Sequence, residues 1–484
     1  MVAGVQPTFS LVSIPSLPSL GLSDEERGLV TELAATFKPH LAQMQRDEAY
    51  YLGEQHIRNL RIAVPKELEF LRTIVGWASL AVDPYVERLA VDGFRLPGAT
   101  DADADLSELA SAVGLEALVP LATTDALSLG RGYWMVGTDP DSDVPLVTVE
   151  SPLNTAVLWD LSGRNIRAAW APYREDNRWF ASLMLPGQTV LVTVDDSGVL
   201  QVVDRDVHGM GVPMVRMPHQ PRTNAREGRS AITPAVRSTV DSACRDLLGL
   251  EISREFYSIP RVTLLGASEA DFQDSSGKAK TAWEVLITKY NAIERDDDGN
   301  VPQLHQLTAY DPSVFTRVID MRASQMASLV AAPPQDLGLY TSGNPVSADA
   351  VGAMETRRNR RARRMQAEFG RSIADVMKLV LAFQNNGTLP AEFARLETDW
   401  ADVDEISLVA ASDAITKQVA TGIVPPTSDV VLKRLGYTAV ERQRLAQDRE
   451  AQADQTAAQQ IIDALGQPQT PEVPGNGNES SPAA

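Results

Sequence analysis

Residues 333–366, PPQDLGLYTSGNPVSADAVGAMETRRNRRARRMQ, constrain the fold of this chain more than any other stretch. Pro333 and Pro334 stop a preceding helix, because proline lacks a backbone donor and its ring clashes with the turn before it. A run of small and turn-forming residues follows. After it comes a breaker-free stretch with six arginines between Arg357 and Arg364. Val351, Met354, Ala362, Met365, Phe369, Ile373, Val376 and Val380 recur near the helical period, with Arg358 on the same line. The pattern predicts one helix of about 36 residues, Ala348 to Phe383, closed by Asn385, Asn386 and Gly387.

The arginines are not background. The 484-residue chain holds 44 Lys and Arg against 64 Asp and Glu, a formal net charge of −20. A protein that grips nucleic acid over its whole surface carries a basic surplus, so that class is excluded. The charged fraction of 22% and hydrophobic fraction of 44% are those of a globular chain. The length accommodates roughly two to four domains. Cys244, the single cysteine, excludes an intrachain disulfide and fits assembly in a reducing compartment. With five scattered histidines, no zinc site of ordinary spacing can be built. The longest apolar run, TIVGWASLAV, is about half of the ~20 residues a membrane span needs. The N-terminus lacks a basic segment and an unbroken apolar one, so no signal peptide is read. The expectation is a soluble chain, assembled inside a cell, without membrane contact.

Along the chain, Pro7, Pro15 and Pro18 make residues 1–22 an extended arm. Ser23 to Glu26 form a capping box that opens a helix running to Tyr51, bent at Pro39. A second helical segment is expected over 66–89. The acidic stretch at 98–108 reads as a solvated loop before a helix, since Asp101, Asp103 and Asp105 have no further metal ligands nearby. From 131 to 217, short β-rich runs separated by Gly, Pro, Asp and Asn predict antiparallel hairpins, with Trp134, Trp159, Trp170 and Trp179 as packing residues. Thr233-Pro234 opens a helix with the stripe Ile232, Val236, Val240, Ala243, Leu247, Leu250 and Tyr257. Asp311-Pro312 opens another, with the stripe Phe315, Ile319, Met326 and Leu329 interrupted by Arg322. Both come to about 30–36 Å. The insert between them, 259–310, reads as a compact α/β unit. After the long helix come a strand (ARLETDW) and three helices: about 406–421, about 427–435, and one opened by Thr438 and Glu441. Residues 466–484 are Pro/Gly/Ser-rich and expected to be disordered.

No catalytic template fits. SSGKAKT lacks the upstream glycine and the hydroxyl of a phosphate-binding loop. Glu294, Asp296, Asp298 and Gly299 imitate the front of a calcium loop, but His305 stands where its closing glutamate belongs, and a hairpin turn accounts for the run better. His208 and His219 lie near Gly and Pro loops without a partnered nucleophile. No cofactor and no metal are expected. For Arg357, Arg358, Arg360, Arg361, Arg363 and Arg364 three readings stay open: a solvated face with pairs such as Arg364–Glu368, pairing with acidic surface on another copy, or phosphate contact.

The order of parts resembles the portal proteins of tailed bacteriophages, of the siphophage type found in phages of actinobacteria. The residues that carry the resemblance are VDPYVERLAVDGFRLPG (82–98), LATTDALSLGRGYWMVGT (121–138), PLVTVESP (145–152), LGLYTSGNPVSADAVGAMETRRNRRARRMQAEFG (337–370) and GIVPPTSDVVLKRLGYTAVE (422–441). None is a chemical motif; their order and spacing over nearly the whole chain make them specific. The resemblance implies an α+β portal fold. In it 23–230 and 348–405 form the wing, 231–258 and 311–332 the stem, 259–310 the clip, 333–347 the tunnel loop and 406–465 a helical crown.

It also implies a homo-oligomeric ring of about twelve copies at one capsid vertex, with double-stranded DNA passing through it. Tyr340, Thr341, Ser342, Gly343, Asn344 and Pro345 would face the DNA. Lys278, Lys280, Asp296, Asp297, Asp298 and Asn300 would stand at the clip tip, toward the terminase large subunit and later the head-completion or adaptor proteins. Major capsid and scaffolding proteins would be further partners. Two alternatives compete: a DNA-processing enzyme, and a small-oligomer structural adaptor without a channel.

Overall fold

The computed structural model describes residues 10–55, 73–99, 102–138, 142–163, 165–195, 197–257, 262–265, 303–306, 311–339, 348–403 and 408–437, with short helical pieces between 441 and 456. The tunnel-loop residues 340–345, the clip-tip residues, the Thr438 capping box and the tail 466–484 lie outside the described residues.

Helix α1 (Asp24–Tyr51) starts at the expected capping box. The Ser23 N–H donates to the Glu26 carboxylate at 2.8 Å, and the Glu26 N–H donates to Ser23 Oγ at 3.2 Å. Each side chain thus satisfies a donor that the first helical turn leaves open. Glu26 also takes Arg205 at 2.6 Å; that bond first, with the Ser23 hydrogen bonds, holds its pKa at about 2 against the opposing effect of burial. Upstream, Leu11, Ile14 and Leu22 are buried, and strand β1 (Ser19–Leu20) pairs in parallel with a later strand, so this part of the arm is docked on the body.

The expected helix over 66–89 is corrected where it is described. Gly76–Ala81 is a 3-10 turn and α2 (Asp83–Val86) is a single turn. Pro84, without an N–H, starts a new first turn and does not continue the old one. Strand β2 (Val91–Arg95) follows. Helix α3 (Ala104–Ala112) is capped by Asp103, whose carboxylate accepts from the N–H groups of Asp105 and Leu106, both at 3.1 Å. The acidic run there therefore caps a helix. Gly114, at φ +71°, turns the chain into α4 (Leu115–Leu129).

The β-rich expectation for 131–217 is met by two sheets. In the first, β3 (Arg131–Gly137) lies between β4 (Leu146–Glu150) and the later β10 (Met214–Pro218), antiparallel to both. The second runs through β5 (Ala156–Trp159), β6 (Ile166–Glu175), β7 (Arg178–Leu185), β8 (Gln188–Val194) and β9 (Leu200–Val207) as an antiparallel meander, with β1 at its edge beside β9. Trp134 and Trp170 are fully buried in the core.

Helix α5 (Pro234–Tyr257) begins where Thr233-Pro234 predicts, and buries Val236, Val240 and Ala243, with Ile232 buried just before it. Strands β11 (Val262–Leu265) and β12 (Gln303–Gln306) pair antiparallel between α5 and helix α6 (Ser313–Val330). The α6 stripe holds at Met326 and is corrected at Leu329. Ala323, Met326, Ala327 and Val330 are buried, whereas Leu329 is 37% exposed. Small Ala323 and Ala327 set the face that packs, and the larger Leu329 is turned away. Gly249 on α5 gives close approach: a Cβ there would meet the Phe315 ring of α6 at 3.0 Å.

Helix α7 (Ala348–Gln384) matches the long-helix expectation and buries Ala362, Met365, Phe369, Ile373, Val376 and Val380. It ends as read: the Gly387 N–H, at φ +86°, donates to the Ala382 carbonyl at 2.8 Å. Strand β13 (Glu397–Trp400) pairs with β2. Helices α8 (Leu408–Ala420) and α9 (Asp429–Arg434) are followed by Gly422 and Gly436, both at positive φ. The whole is an α+β chain whose largest core gathers residues of α4, α5, α6, α7 and β3.

Candidate functional site

The arginines of α7 separate by direction. Arg358 lies on the apolar stripe, 4% exposed, and ion-pairs with Asp336 in the 3-10 turn Pro334–Leu337. Glu355 lies 3.9 Å from Arg358 and 3.4 Å from Arg88, so positive and negative groups alternate. The expectation that Arg358 offers a surface contact is thereby corrected: its guanidinium is enclosed. Arg361 donates to the Leu329 carbonyl at 3.0 Å, and the Tyr85 hydroxyl donates to the Val330 carbonyl at 2.6 Å. Those carbonyls belong to the last turn of α6, where helical partners run out and a cation is favoured. Arg361 and Tyr85 therefore fasten the end of α6 to α7 and α2, and Arg358 ties the 3-10 turn after it to α7.

The other arginines face outward. Arg364 holds Glu368 at 3.1 Å with its own side chain 72% exposed, and Arg363 lies 4.0 Å from Asp402. Arg357 and Arg360 are exposed. Two further exposed arginines that the sequence reading left out lie on α7 and on a loop docked against it. Arg371 is exposed two turns beyond Arg364. Arg229 sits in the 219–229 loop, which is fastened to α7: the Gln220 N–H donates to Glu368 at 3.1 Å, and the His219 ring lies 6.3 Å from Phe369. His219 is 1% exposed and donates from Nδ1 to the Arg229 carbonyl at 2.7 Å; burial lowers its pKa. His219 thus shapes this loop, and His208 lies 3.3 Å from the Thr189 hydroxyl.

The same loop holds an ionic centre that sequence reading also missed. Glu227 accepts from Arg131 at 2.9 Å, from the Trp159 indole at 2.8 Å and from Arg216 at 3.0 Å. The Arg216 guanidinium lies 4.2 Å over the Trp159 ring. Burial alone raises the carboxyl's pKa, but the two guanidiniums outweigh it and hold it below the usual range. Burial also pushes neighbouring Tyr133 up to about 12. One signal was available: Glu227 is the single acid among Arg222, Arg226 and Arg229. Among the described residues, no group of three or more His, Cys, Asp or Glu side chains could hold a metal ion. No described helix is by itself long and apolar enough to cross a membrane.

A portal protein of Mycobacterium phage D29 is 29% identical, over 87% of this chain and 88% of its own length. One of Mycobacterium phage L5 is 27% identical over 96% of both chains. A chain from a solved virion of a native gene transfer agent particle overlays with a TM-score of 0.43 and 14% identity, covering 81% of this chain and 92% of that one. The model of the family described as phage portal protein, SPP1 Gp6-like, matches residues 32–456. The chain belongs to that family of phage portal proteins.

Proposed function

We propose that this portal protein, a virion component, is the repeating subunit of a ring of about twelve copies at one capsid vertex, around a channel for double-stranded DNA. The observation that carries the reading is the family match across 32–456, which takes in the α5–α6 pair, the insert between them and α7. In this reading α5 and α6 form the stem, held together by close packing at Gly249 and by Arg322–Asp246 at 3.3 Å. The 259–310 insert faces the terminase during packaging and head-completion proteins afterwards. The 340–345 stretch meets the DNA.

The chain itself is a conduit and not an enzyme, so the motor supplies the energy of translocation. A net charge of −20 suits that role. Each phosphate neutralised by Lys or Arg strengthens binding through counterion release, so a cationic bore grips where an acidic one lets DNA slide.

Native mass spectrometry of the purified chain, with negative-stain images of the same sample, tests this. A ring with an axial hole is the expected result. A chain that stays monomeric or dimeric even with capsid and scaffolding proteins present, or one that cuts naked DNA in a metal-dependent way, overturns it.

A further inference from the structure

The structure sorts the arginines into those used inside the subunit and those on one continuous outward line. From Arg357 to Arg371, α7 advances about 21 Å. Arg357, Arg360, Arg364 and Arg371 are all exposed along that length, and Arg229 is exposed in the loop that docks on α7 through Gln220 and Glu368. Within this stretch the sequence offers a single acid, Glu368, and it is already engaged by Arg364 and the Gln220 N–H. Among the described residues, no carboxylate pairs with Arg357, Arg360, Arg371 or Arg229. A concentrated cationic strip therefore stands on a chain whose overall charge is −20.

We propose that this strip, Arg357, Arg360, Arg364 and Arg371 with Arg229, is the basic half of the contact between neighbouring copies, and that it receives exposed carboxylates of a second copy of this chain. The proposal rests on the ring reading and adds to it the surface and its chemistry. Two arguments favour this occupant.

The first is symmetry. A strip of one charge sign repels its own image, so it cannot meet itself across a two-fold axis. It needs a different surface on the next copy, and head-to-tail contacts between different surfaces are the kind that close rings. The second is complementarity. The neighbour brings a surplus of twenty acidic charges. Guanidinium groups bind carboxylates through paired hydrogen bonds, and every strip in a ring finds the same acidic face at fixed geometry.

The test uses the full chain. An R357K/R360K/R371K variant keeps the charge and places amines along the strip. Isotopically light and heavy variant chains are assembled together, treated with a carbodiimide that joins amines directly to adjacent carboxylates, and digested. Links between a light and a heavy chain from Lys at 360 or 371 are the expected result. A second variant, R357E/R360E/R371E, should lower the ring fraction at 0.15 M salt about tenfold, as reversed charges at a contact do. Native rings whose assembly survives charge reversal, with no inter-chain link from the strip, overturn the proposal and leave the ring reading standing. Rings that persist while the reversed variant loses binding to a short DNA duplex also overturn it, and assign the strip to phosphate. A native chain that forms no ring removes the ring reading itself, and the proposal with it.

Discussion

Replacing Glu227 by Gln tests whether the ionic centre of the 219–229 loop is a stabilising element. The substitution keeps size and an acceptor for the Trp159 indole, but removes the charge that Arg131 and Arg216 share. Their side chains are 10% and 13% exposed, against 26% for Glu227. Breaking a buried ion pair by removing one partner costs about 3–5 kcal/mol, and the partial exposure of Glu227 brings the expectation to about 2–3 kcal/mol. The main core runs from Val75 to Val403, roughly 330 residues, and for a unit of that size this is a fall in Tm of about 3–4 °C. The assay is thermal unfolding of wild type and E227Q across pH.

Because the carboxyl's pKa is lowered in the folded chain, its contribution is full above the unfolded value of about 4.3. It disappears as pH falls through the folded value. The two curves should therefore lie apart at pH 7 and meet in acid. Trp159→Phe, which loses one hydrogen bond, should cost only about 1 kcal/mol and serves as the control. A Tm shift under about 1 °C at pH 7, or a gap that stays constant into acid, refutes the argument.

Three other outcomes are expected. Gly228→Ala should destabilise by at least about 3 kcal/mol in denaturant unfolding, because φ is +98° and the added Cβ would stand 2.0 Å from the Gly130 carbonyl oxygen. Asp125 titrates at about 7, first through burial and then through Glu48. Its unfolded value is near 3.9, so wild-type stability should fall as pH rises from about 4 to 7. Asp125→Asn should flatten that fall and raise Tm at pH 8. On the proposal that 340–345 meets the DNA, Ser342→Lys should slow DNA packaging while rings still form, since a cation there would hold phosphates; unchanged packaging rates count against that stretch as the DNA contact.

What could be read from the sequence was mostly local. The Ser23–Glu26 box, the proline starts, the glycine stops and the period of α7 each act within a few residues, and each is where it was expected. The α6 stripe holds at Met326 and Phe315 but fails at Leu329, because its last turn is packed through Ala327 and Val330, next to the carbonyls that Arg361 and Tyr85 hold. Glu227 was hidden for a related reason. Its partners lie 96, 68 and 11 residues away, across two sheets and a loop, and no spacing rule connects them.

Arg358 shows where the two kinds of reading conflict. Its position on the stripe places it inside, while its membership of a six-arginine cluster places it outside. Periodicity wins here because Asp336, at the other end of the 340–347 stretch, supplies a countercharge at that depth. A guanidinium on an apolar face stays inside only if such a partner exists, since burying it unpaired is far costlier than turning it to water. The same reasoning explains the rest of the cluster. Arg357, Arg360 and Arg371 have no buried acid across from them among the described residues, so they stay on the surface, in water.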